Sequence, residues 1–299
     1  MIVLGQNDTV LWRKRKPTPA GDYQAILETI VSLVTSAKDK LGIEQSASIG
    51  IGSPGALTIT NDSQEEMKNC NSTALNGKPL TKDLAELLSC PVHIGNDANC
   101  MVLAEALSGQ GKKLFGSVTP ESVFGVILGT GVGGGVVVHS KILGGLHSIA
   151  GEWGHNDLPL KLLEKLPVQE KGRSCYCGRS DCIETYLSGP GLALSYSLRF
   201  KQALTPEKII QNMQDGEQAA QEIWGQYLDQ LANSLANVVN VLDPSLIVLG
   251  GGLSQVDEIY SSIHRRMEGA VFTPSFDTPI VPALLGDSAG VYGAAWLCV

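Results

Sequence analysis

The sequence lacks any long apolar run of the kind that crosses a membrane. Its most apolar stretch, 123–138, is interrupted repeatedly by glycine, so it falls short of the roughly 18 uninterrupted apolar residues that a spanning helix needs. Near the N-terminus, apolar residues 10–12 precede the basic residues 13–16, which is the reverse of the order in a signal peptide. We therefore expect a cytoplasmic protein with no membrane partner.

The sequence also lacks an excess of positive charge. Its 22 Lys and Arg stand against 30 Asp and Glu, which gives a formal net charge of −8. Proteins that bind nucleic acid neutralise its phosphates with a basic face. No nucleic-acid partner is therefore expected, and the short basic run 13–16 is interpreted as a solvated strand end.

The length and apolar content allow two cores that meet at a cleft. The chain has 299 residues, of which 43% are hydrophobic, which is more than one ordinary domain requires. Buried strands predicted at 47–55, 91–95, 123–128 and 246–249 alternate with helical patterns, and this alternation is typical of an α/β fold with ligands at the strand ends. We expect one lobe of residues 1–118 with a C-terminal helix at 288–299. The other lobe is expected at 119–287, with a metal-binding loop at 151–184.

Three of the seven cysteines are clustered, at Cys175, Cys177 and Cys182, and His155 lies upstream of them. Three thiolates and one imidazole complete the tetrahedral set of a closed structural zinc site. The alternative, three reduced buried thiols, fits poorly with the polar residues between them. The remaining cysteines are expected to be small buried hydrophobes; they are Cys70, Cys90, Cys100 and Cys298.

Two carboxylates flank the predicted zinc ligands. Glu152 precedes His155 by three residues, and Glu184 follows Cys182 by two. Isolated glutamates are usually solvated surface residues, but a metal ion would fix these two in space. Because paired carboxylates suit the adjacent hydroxyls of a sugar, the sequence predicts a sugar site braced by zinc.

Two glycine-rich segments each follow an apolar strand. Glycine lets backbone N–H groups surround phosphate oxygens or lie under a purine, so these segments are candidates for binding a nucleotide. Either segment alone is equally consistent with a hairpin or a barrel corner. The candidate residues are Gly129, Thr130, Gly131, Val132, Gly133, Gly134, Gly135 and Val136 in the first segment and Gly250, Gly251 and Gly252 in the second.

Asp97 is the candidate general base. It follows a predicted buried strand and lies between Asn96 and Asn99. The alternative role for an Asp at this position is to cap the following helix. A kinase base accepts the proton of a substrate hydroxyl as the phosphoryl group leaves ATP, with positioning supplying most of the rate.

These motifs resemble the ROK family of sugar kinases and repressors. The resemblance rests on Gly-Glu-x-Gly-His at 151–155, on the cysteine segment 175–184, on Gly-Ser-Pro-Gly at 52–55, on 96–99 and on the glycine run 129–135. It implies an actin-like, hexokinase-like two-lobe fold with Mg·ATP and a hexose between the lobes.

The resemblance also implies roles for single residues. Asp97 would be the base. The sugar contacts would be Asn96, Glu152, His155 and Glu184, with Ser53 and Gly55 on the substrate loop.

Within the family, segments 71–77, 152–156 and 175–178 look like the manno(fructo)kinases. Phosphorylation of D-fructose to fructose 6-phosphate is therefore the leading hypothesis. Mannose, glucose and N-acetylglucosamine stay open as alternatives. A repressor would need a DNA-binding segment ahead of the kinase-like body, for which no residues are expected here. The resemblance implies a homodimer or a monomer.

The sequence departs from the family pattern at two places. Asp181 stands where the family usually has glycine, which is tolerable if its backbone is left-handed. Family kinases also open with a strand that runs into an Asp-x-Gly-Gly-Thr turn around the ATP phosphates, and the printed sequence contains no such turn. We expect this form to keep sugar and zinc binding while its kinase activity is weak or absent.

Overall fold

The computed structural model describes residues 1–6, 9–19, 21–44, 48–60, 62–286 and 289–298. The strands in these ranges are β1 (Ile2–Leu4), β2 (Val10–Arg13), β3 (Ile49–Ser53), β4 (Ala56–Ile59), β5 (Glu65–Lys68), β6 (Val92–Asn96), β7 (Ser122–Leu128), β8 (Val132–Val138), β9 (Lys141–Ile142), β10 (Leu246–Gly250) and β11 (Ile280–Pro282). The α-helices are α1 (Tyr23–Leu41), α2 (Leu80–Leu88), α3 (Asp97–Leu107), α4 (Gln110–Phe115), α5 (Leu160–Leu163), α6 (Glu184–Leu187), α7 (Gly189–Phe200), α8 (Pro206–Gln214), α9 (Gln218–Leu242), α10 (Glu258–Met267) and α11 (Ala289–Trp296).

A five-stranded mixed sheet organises the second half of the chain. Its order is β11-β10-β7-β8-β9, with β10 parallel to both neighbours and β7, β8 and β9 antiparallel. Pairing of β10 with β7 runs from Leu246 opposite Val123 to Gly250 opposite Ile127. The two predicted glycine-rich segments therefore begin side by side at one edge of the sheet, and α9 packs into the large core beneath it.

Among its described residues, the first half of the chain has three two-stranded sheets. β1 pairs with β2, β4 with β5, and β3 with β6, the last pair being parallel. Because Ser53 lies opposite Asn96 at the ends of β3 and β6, the substrate loop predicted at 52–55 is placed beside the start of α3. The sequence also predicts Asp22 as the N-cap of the helix that follows it. This is confirmed, since the Asp22 side chain accepts a hydrogen bond from the Ala25 N–H at the start of α1.

The C-terminal helix α11 packs on the first half of the chain, as the sequence predicts. A Cβ on Gly293 would lie 1.6 Å from the Cys100 carbonyl oxygen, and one on Gly50 would lie 1.7 Å from the Ala294 carbonyl oxygen. Glycine at both positions is therefore required for α11 to approach α3 and β3 this closely. A core that joins α3 and α11 to β7 and β10 ties both halves together.

Some predicted features lie outside the described residues. These are the turn at residues 7 and 8, the strand start at Ala47, and residues 288 and 299 of the C-terminal helix. The lobe boundaries at 1–118, 119–287 and 288–299 remain a prediction.

The first glycine-rich segment needs a correction. The sequence predicts a loop over 129–135 and a return strand from Val136, whereas strand β8 already begins at Val132. A Cβ on Gly135 would lie 2.5 Å from Asn99 Oδ1, and one on Gly134 would lie 2.8 Å from Trp153 Cδ1. These two glycines let α3 and the loop at Trp153 pack directly against the sheet.

Candidate active site

A cleft of about 1530 Å³ brings together most of the predicted site residues. One wall, which we call the base wall, is formed by Pro54, Gly55, Asn96 and Asp97 at the ends of β3 and β6. The opposite wall, which we call the composite wall, is formed by three segments. They are the hairpin residues 131–134 and 136, the segment around Glu152 and His155, and the loop that carries Tyr176, Cys177 and Glu184.

The base wall is organised by the start of α3. Asn96 is its N-cap, because its Oδ1 accepts hydrogen bonds from the N–H groups of Ala98 (2.9 Å) and Asn99 (3.3 Å). Its Nδ2 donates to the Gly55 carbonyl at 2.9 Å. Asn96 thus supplies the helix cap, a role for which Asp97 was the alternative candidate. Both the oxygen and the nitrogen of the Asn96 amide are hydrogen-bonded within the protein. A direct sugar contact by Asn96 stays a prediction.

Asp97 is the first residue of α3 and lines the cleft. Burial raises the pKa of its carboxyl group, and a hydrogen bond from the Ala98 N–H to Oδ1 at 2.8 Å partly opposes that shift. A carboxylate with a raised pKa is a stronger base at neutral pH. Burial also raises the pKa of Glu152, and the nearby charges of Glu184 and Asp97 add to that rise, although His155 opposes it. The three carboxyl groups all line the cleft, and the charges of Glu184 and Asp97 act on Glu152.

The predicted zinc ligands form one cluster. The ligand atoms of His155, Cys175, Cys177 and Cys182 all lie within 4.8 Å of one another. Cys177 Sγ is 3.6 Å from Cys182 Sγ, and Cys175 Sγ is 3.5 Å from His155 Nδ1. Around a tetrahedral zinc ion with Zn–S bonds of about 2.3 Å, ligand sulfurs lie about 3.8 Å apart. The donor set and its spacing therefore fit a metal ion.

Local hydrogen bonds act on Cys177 and His155 in this cluster. The backbone N–H of Arg179 lowers the pKa of Cys177 to about 6, which favours the thiolate that binds metals. Burial raises the pKa of Cys175 and of Cys182. His155 turns Nδ1 toward the thiols and Nε2 toward Tyr176 Oη at 2.9 Å, and a partner on the second nitrogen is the usual way to orient a ligating histidine.

Glu184 links the cysteine loop to the glycine hairpin, a contact that the sequence did not predict. Its Oε2 accepts a hydrogen bond from the Val132 N–H at 3.0 Å, and a Cβ on Gly131 would lie 2.6 Å from that oxygen. Trp153 makes a second link, since its Nε1 donates to the Gly133 carbonyl at 2.9 Å. The composite wall is thus held together by long-range contacts.

Asp181 has the left-handed backbone expected for a residue at a glycine position, with φ of 56°. Its carboxylate accepts hydrogen bonds from the N–H groups of Gly172 and Arg173 and from Tyr186 Oη at 2.5 Å. The Arg173 guanidinium lies 4.0 Å from the centre of the Tyr186 ring. The only sequence signal for these contacts is the presence of Asp181 at a position where the family usually has glycine.

Several of the predicted site residues do not line the cleft. Ser53 is buried, and its hydroxyl donates to the Pro54 carbonyl instead of lining the cleft. Gly129, Thr130 and 250–252 lie at the adjoining ends of β7 and β10, outside the cleft lining. A Cβ on Gly251, whose φ is 88°, would lie 2.4 Å from the Leu128 carbonyl oxygen. Gly251 is therefore required by the backbone, and nucleotide binding at these residues stays a prediction.

Comparison with known proteins agrees with this architecture. The family model described as "ROK family" matches residues 1–299. The chain is 40% identical over 299 residues to an N-acetyl-D-glucosamine kinase of Pectobacterium carotovorum, with 99% of this chain and 95% of that protein covered. It is 37% identical over 295 residues to an N-acetyl-D-glucosamine kinase of Yersinia pseudotuberculosis, with coverage of 99% and 93%.

The fold also matches solved structures. The ROK hexokinase from Thermus thermophilus superposes with a TM-score of 0.79 at 27% identity, covering 97% of this chain and 90% of that chain.

The chain has the hexokinase-like α/β fold and belongs to the ROK family. It is a sugar kinase of that family, as the names of these relatives indicate. The expected closeness to fructokinases in particular is not shown, because the relatives named here are N-acetyl-D-glucosamine kinases. Among the described residues, no helix has both the length and the apolar content for a membrane crossing.

Proposed function

We propose that this protein transfers the γ-phosphoryl group of Mg·ATP to a hydroxyl of N-acetylglucosamine. The similarity to N-acetyl-D-glucosamine kinases along nearly the whole chain supports this sugar over fructose. The observation that carries the reaction type is the Asp97 carboxyl of raised pKa, which lines the same cleft as Glu152 and Glu184.

Asp97 serves as the general base in this proposal. The sugar hydroxyl attacks the γ-phosphorus, its proton passes to the Asp97 carboxylate, and ADP leaves with the electrons of the broken P–O bond. The raised pKa of Asp97 makes it a suitable acceptor near neutral pH. Because Asp97 is anchored by the first turn of a helix, its position does not depend on either ligand.

Glu152 and Glu184 accept hydrogen bonds from the sugar hydroxyls in this proposal. Carboxylates are strong acceptors for such donors, and both residues line the cleft. Gly55 supplies backbone contacts on the opposite wall. The turn at 129–131 and the adjoining turn at 250–252 lie where two parallel strands end, which is the usual edge for a ligand in an α/β sheet, so we assign the nucleotide to this edge.

A zinc ion would be held by His155, Cys175, Cys177 and Cys182, whose mutual distances fit its coordination. With four protein ligands it leaves no open position, so its contribution is to order the loop. The same loop carries Glu184, and the sugar contacts are thereby fixed. Magnesium enters with ATP. We also propose that the protein acts in the cytoplasm, as a homodimer or a monomer.

The test is a coupled assay of ADP release with Mg·ATP and a panel of N-acetylglucosamine, fructose, mannose and glucose. We expect kcat/KM for N-acetylglucosamine to exceed that for fructose by at least about tenfold, because a site built to hydrogen-bond the acetamido group rejects sugars that leave its polar groups unpaired. A higher kcat/KM for fructose would restore the sequence-based hypothesis and overturn this assignment.

A further inference from the structure

Tyr176 lies in a tight turn between two cysteines of the cluster. The Gly178 N–H donates to the Cys175 carbonyl at 3.0 Å, and the Cys175 N–H donates to the Arg179 carbonyl at 2.8 Å. These bonds close a turn that has Tyr176 and Cys177 as its central residues. The turn fixes the backbone of Tyr176, although the residue is 82% exposed and lines the cleft.

The side chain of Tyr176 is directed onto His155. Tyr176 Oη lies 2.9 Å from His155 Nε2, and the two rings meet edge to face with their centres 5.1 Å apart. His155 Nδ1 faces Cys175 Sγ at 3.5 Å, so both ring nitrogens of His155 have partners within the protein. The family resemblance assigns a sugar contact to His155, but in this chain the tyrosine hydroxyl is bonded to the nitrogen that points away from the thiols.

The contact with His155 places the Tyr176 hydroxyl among the predicted sugar contacts. The His155 N–H donates to the Glu152 carbonyl at 3.2 Å, and Glu184 Oε1 lies 3.8 Å from Cys175 Sγ. Both glutamates line the same cleft as Tyr176. An ionised carboxylate only accepts hydrogen bonds, whereas a phenolic hydroxyl both donates and accepts. Tyr176 therefore adds to the composite wall a group that can meet a sugar hydroxyl in either sense.

One bond to His155 leaves the Tyr176 hydroxyl with a donor or an acceptor to spare, whichever nitrogen of His155 carries the proton. We propose that Tyr176 is a further sugar-binding residue, whose hydroxyl bonds one hydroxyl of the sugar in the place that the resemblance gives to His155. The inference rests on the proposed function, because it requires a sugar in the cleft. His155 then holds Tyr176 in position and makes no sugar contact of its own.

Isothermal titration of the full chain with N-acetylglucosamine, without ATP, tests the proposal. Tyr176→Phe keeps the ring and removes the hydroxyl, and it should weaken sugar binding by about 3- to 10-fold, the usual range for one lost hydrogen bond. Tyr292→Phe removes a tyrosine hydroxyl on α11, outside the cleft lining, and should bind like the wild type. Because Tyr176 is so exposed, its variant should keep the wild-type melting temperature and the wild-type zinc content.

A direct contact is separated from an effect through His155 by analogues of N-acetylglucosamine that each lack one hydroxyl. The loss of affinity caused by Tyr176→Phe should disappear for the analogue that lacks the contacted hydroxyl and should persist for the others, as in a double-mutant cycle. An equal loss for every analogue, or a loss of zinc from the variant, would show that Tyr176 acts through His155 and would overturn the proposal.

Unchanged or tighter sugar binding by Tyr176→Phe would also overturn it, because the hydroxyl would then be idle or displaced by the sugar. If the wild type binds fructose, mannose or glucose but not N-acetylglucosamine, the proposed substrate fails instead, and the same variants and deoxy analogues are compared on the sugar that binds. If none of the four sugars binds to the wild type, both proposals fail.

Discussion

The two walls of the cleft are built in different ways. The base wall is local, since Asp97 is placed by the end of β6 and the first turn of α3, with Asn96 as the cap. The composite wall is assembled from distant segments, with Glu184 bound to the hairpin at Val132 and Trp153 bound to it at Gly133. The proposed general base is thus fixed by its own secondary structure, whereas the position of Glu184, a proposed sugar contact, depends on tertiary contacts. Separate losses of turnover and of affinity are the expected consequence.

The largest effect is expected at the base wall. Asp97→Asn should lower kcat by about 10²- to 10⁴-fold, the range for losing a general base, with little change in sugar affinity. In the wild type, kcat should fall as the pH drops through the raised pKa of Asp97, because the protonated carboxyl cannot accept a proton. Steady-state kinetics across pH, with the exposed Asp39→Asn as a control, measures both.

Although Asp97→Asn should lower kcat, it should make the folded protein more stable at neutral pH. Because burial raises the pKa of folded Asp97 above its unfolded value, its contribution to stability is greatest at low pH and is lost as the pH rises through the folded pKa. Asp97→Asn should therefore raise the melting temperature at pH 7, and this gain should shrink in acid. A lower melting temperature at pH 7 would show that the carboxylate is stabilised by contacts outside the base wall.

An intermediate effect is expected at the composite wall. Chelation of the metal, or Cys177→Ser, should raise KM for the sugar by about 10- to 100-fold and leave kcat nearly unchanged, because Asp97 does not depend on the loop. Cys298→Ser, outside the cluster, is the matched control. If kcat fell as far as in Asp97→Asn, the two walls would act as one unit.

The smallest effects are expected from two glycines of the hairpin region, one needed for packing and the other proposed to contact ATP. Gly135→Ala should lower the free energy of unfolding by about 1–3 kcal/mol through overpacking, since its Cβ would lie 2.5 Å from Asn99 Oδ1. In Gly129→Ala the nearest atom, Ile127 Cγ2, lies 3.9 Å from the new Cβ, so stability should change by no more than about 0.5 kcal/mol. KM for ATP should nevertheless rise if this turn holds phosphates. Urea unfolding and ATP titration of both variants test this prediction. Equal losses of stability in the two variants would contradict it.

The sequence predicted the fold class, the principal strands and the grouping of His155 with three cysteines. It succeeded where the signal is local, as in the spacing of Cys175, Cys177 and Cys182 or the Asp22 cap. It placed the return strand too late, because residues 133–135 resemble a loop. Only the packing of Trp153 against Gly134 and of Asn99 against Gly135 shows why side chains are excluded at those two positions. The Gly55 carbonyl bound by Asn96 was invisible for the same reason, since it joins residues 41 positions apart.

By itself, the sequence determined which chemical groups are available and which of them share a strand end or a cysteine loop, because backbone periodicity and ligand chemistry act over a few residues. The tertiary structure decided that Asn96 caps α3 while Asp97 lines the cleft, and that Glu184 reaches the hairpin. Those outcomes depend on packing between elements far apart in the chain, which short-range sequence patterns do not predict.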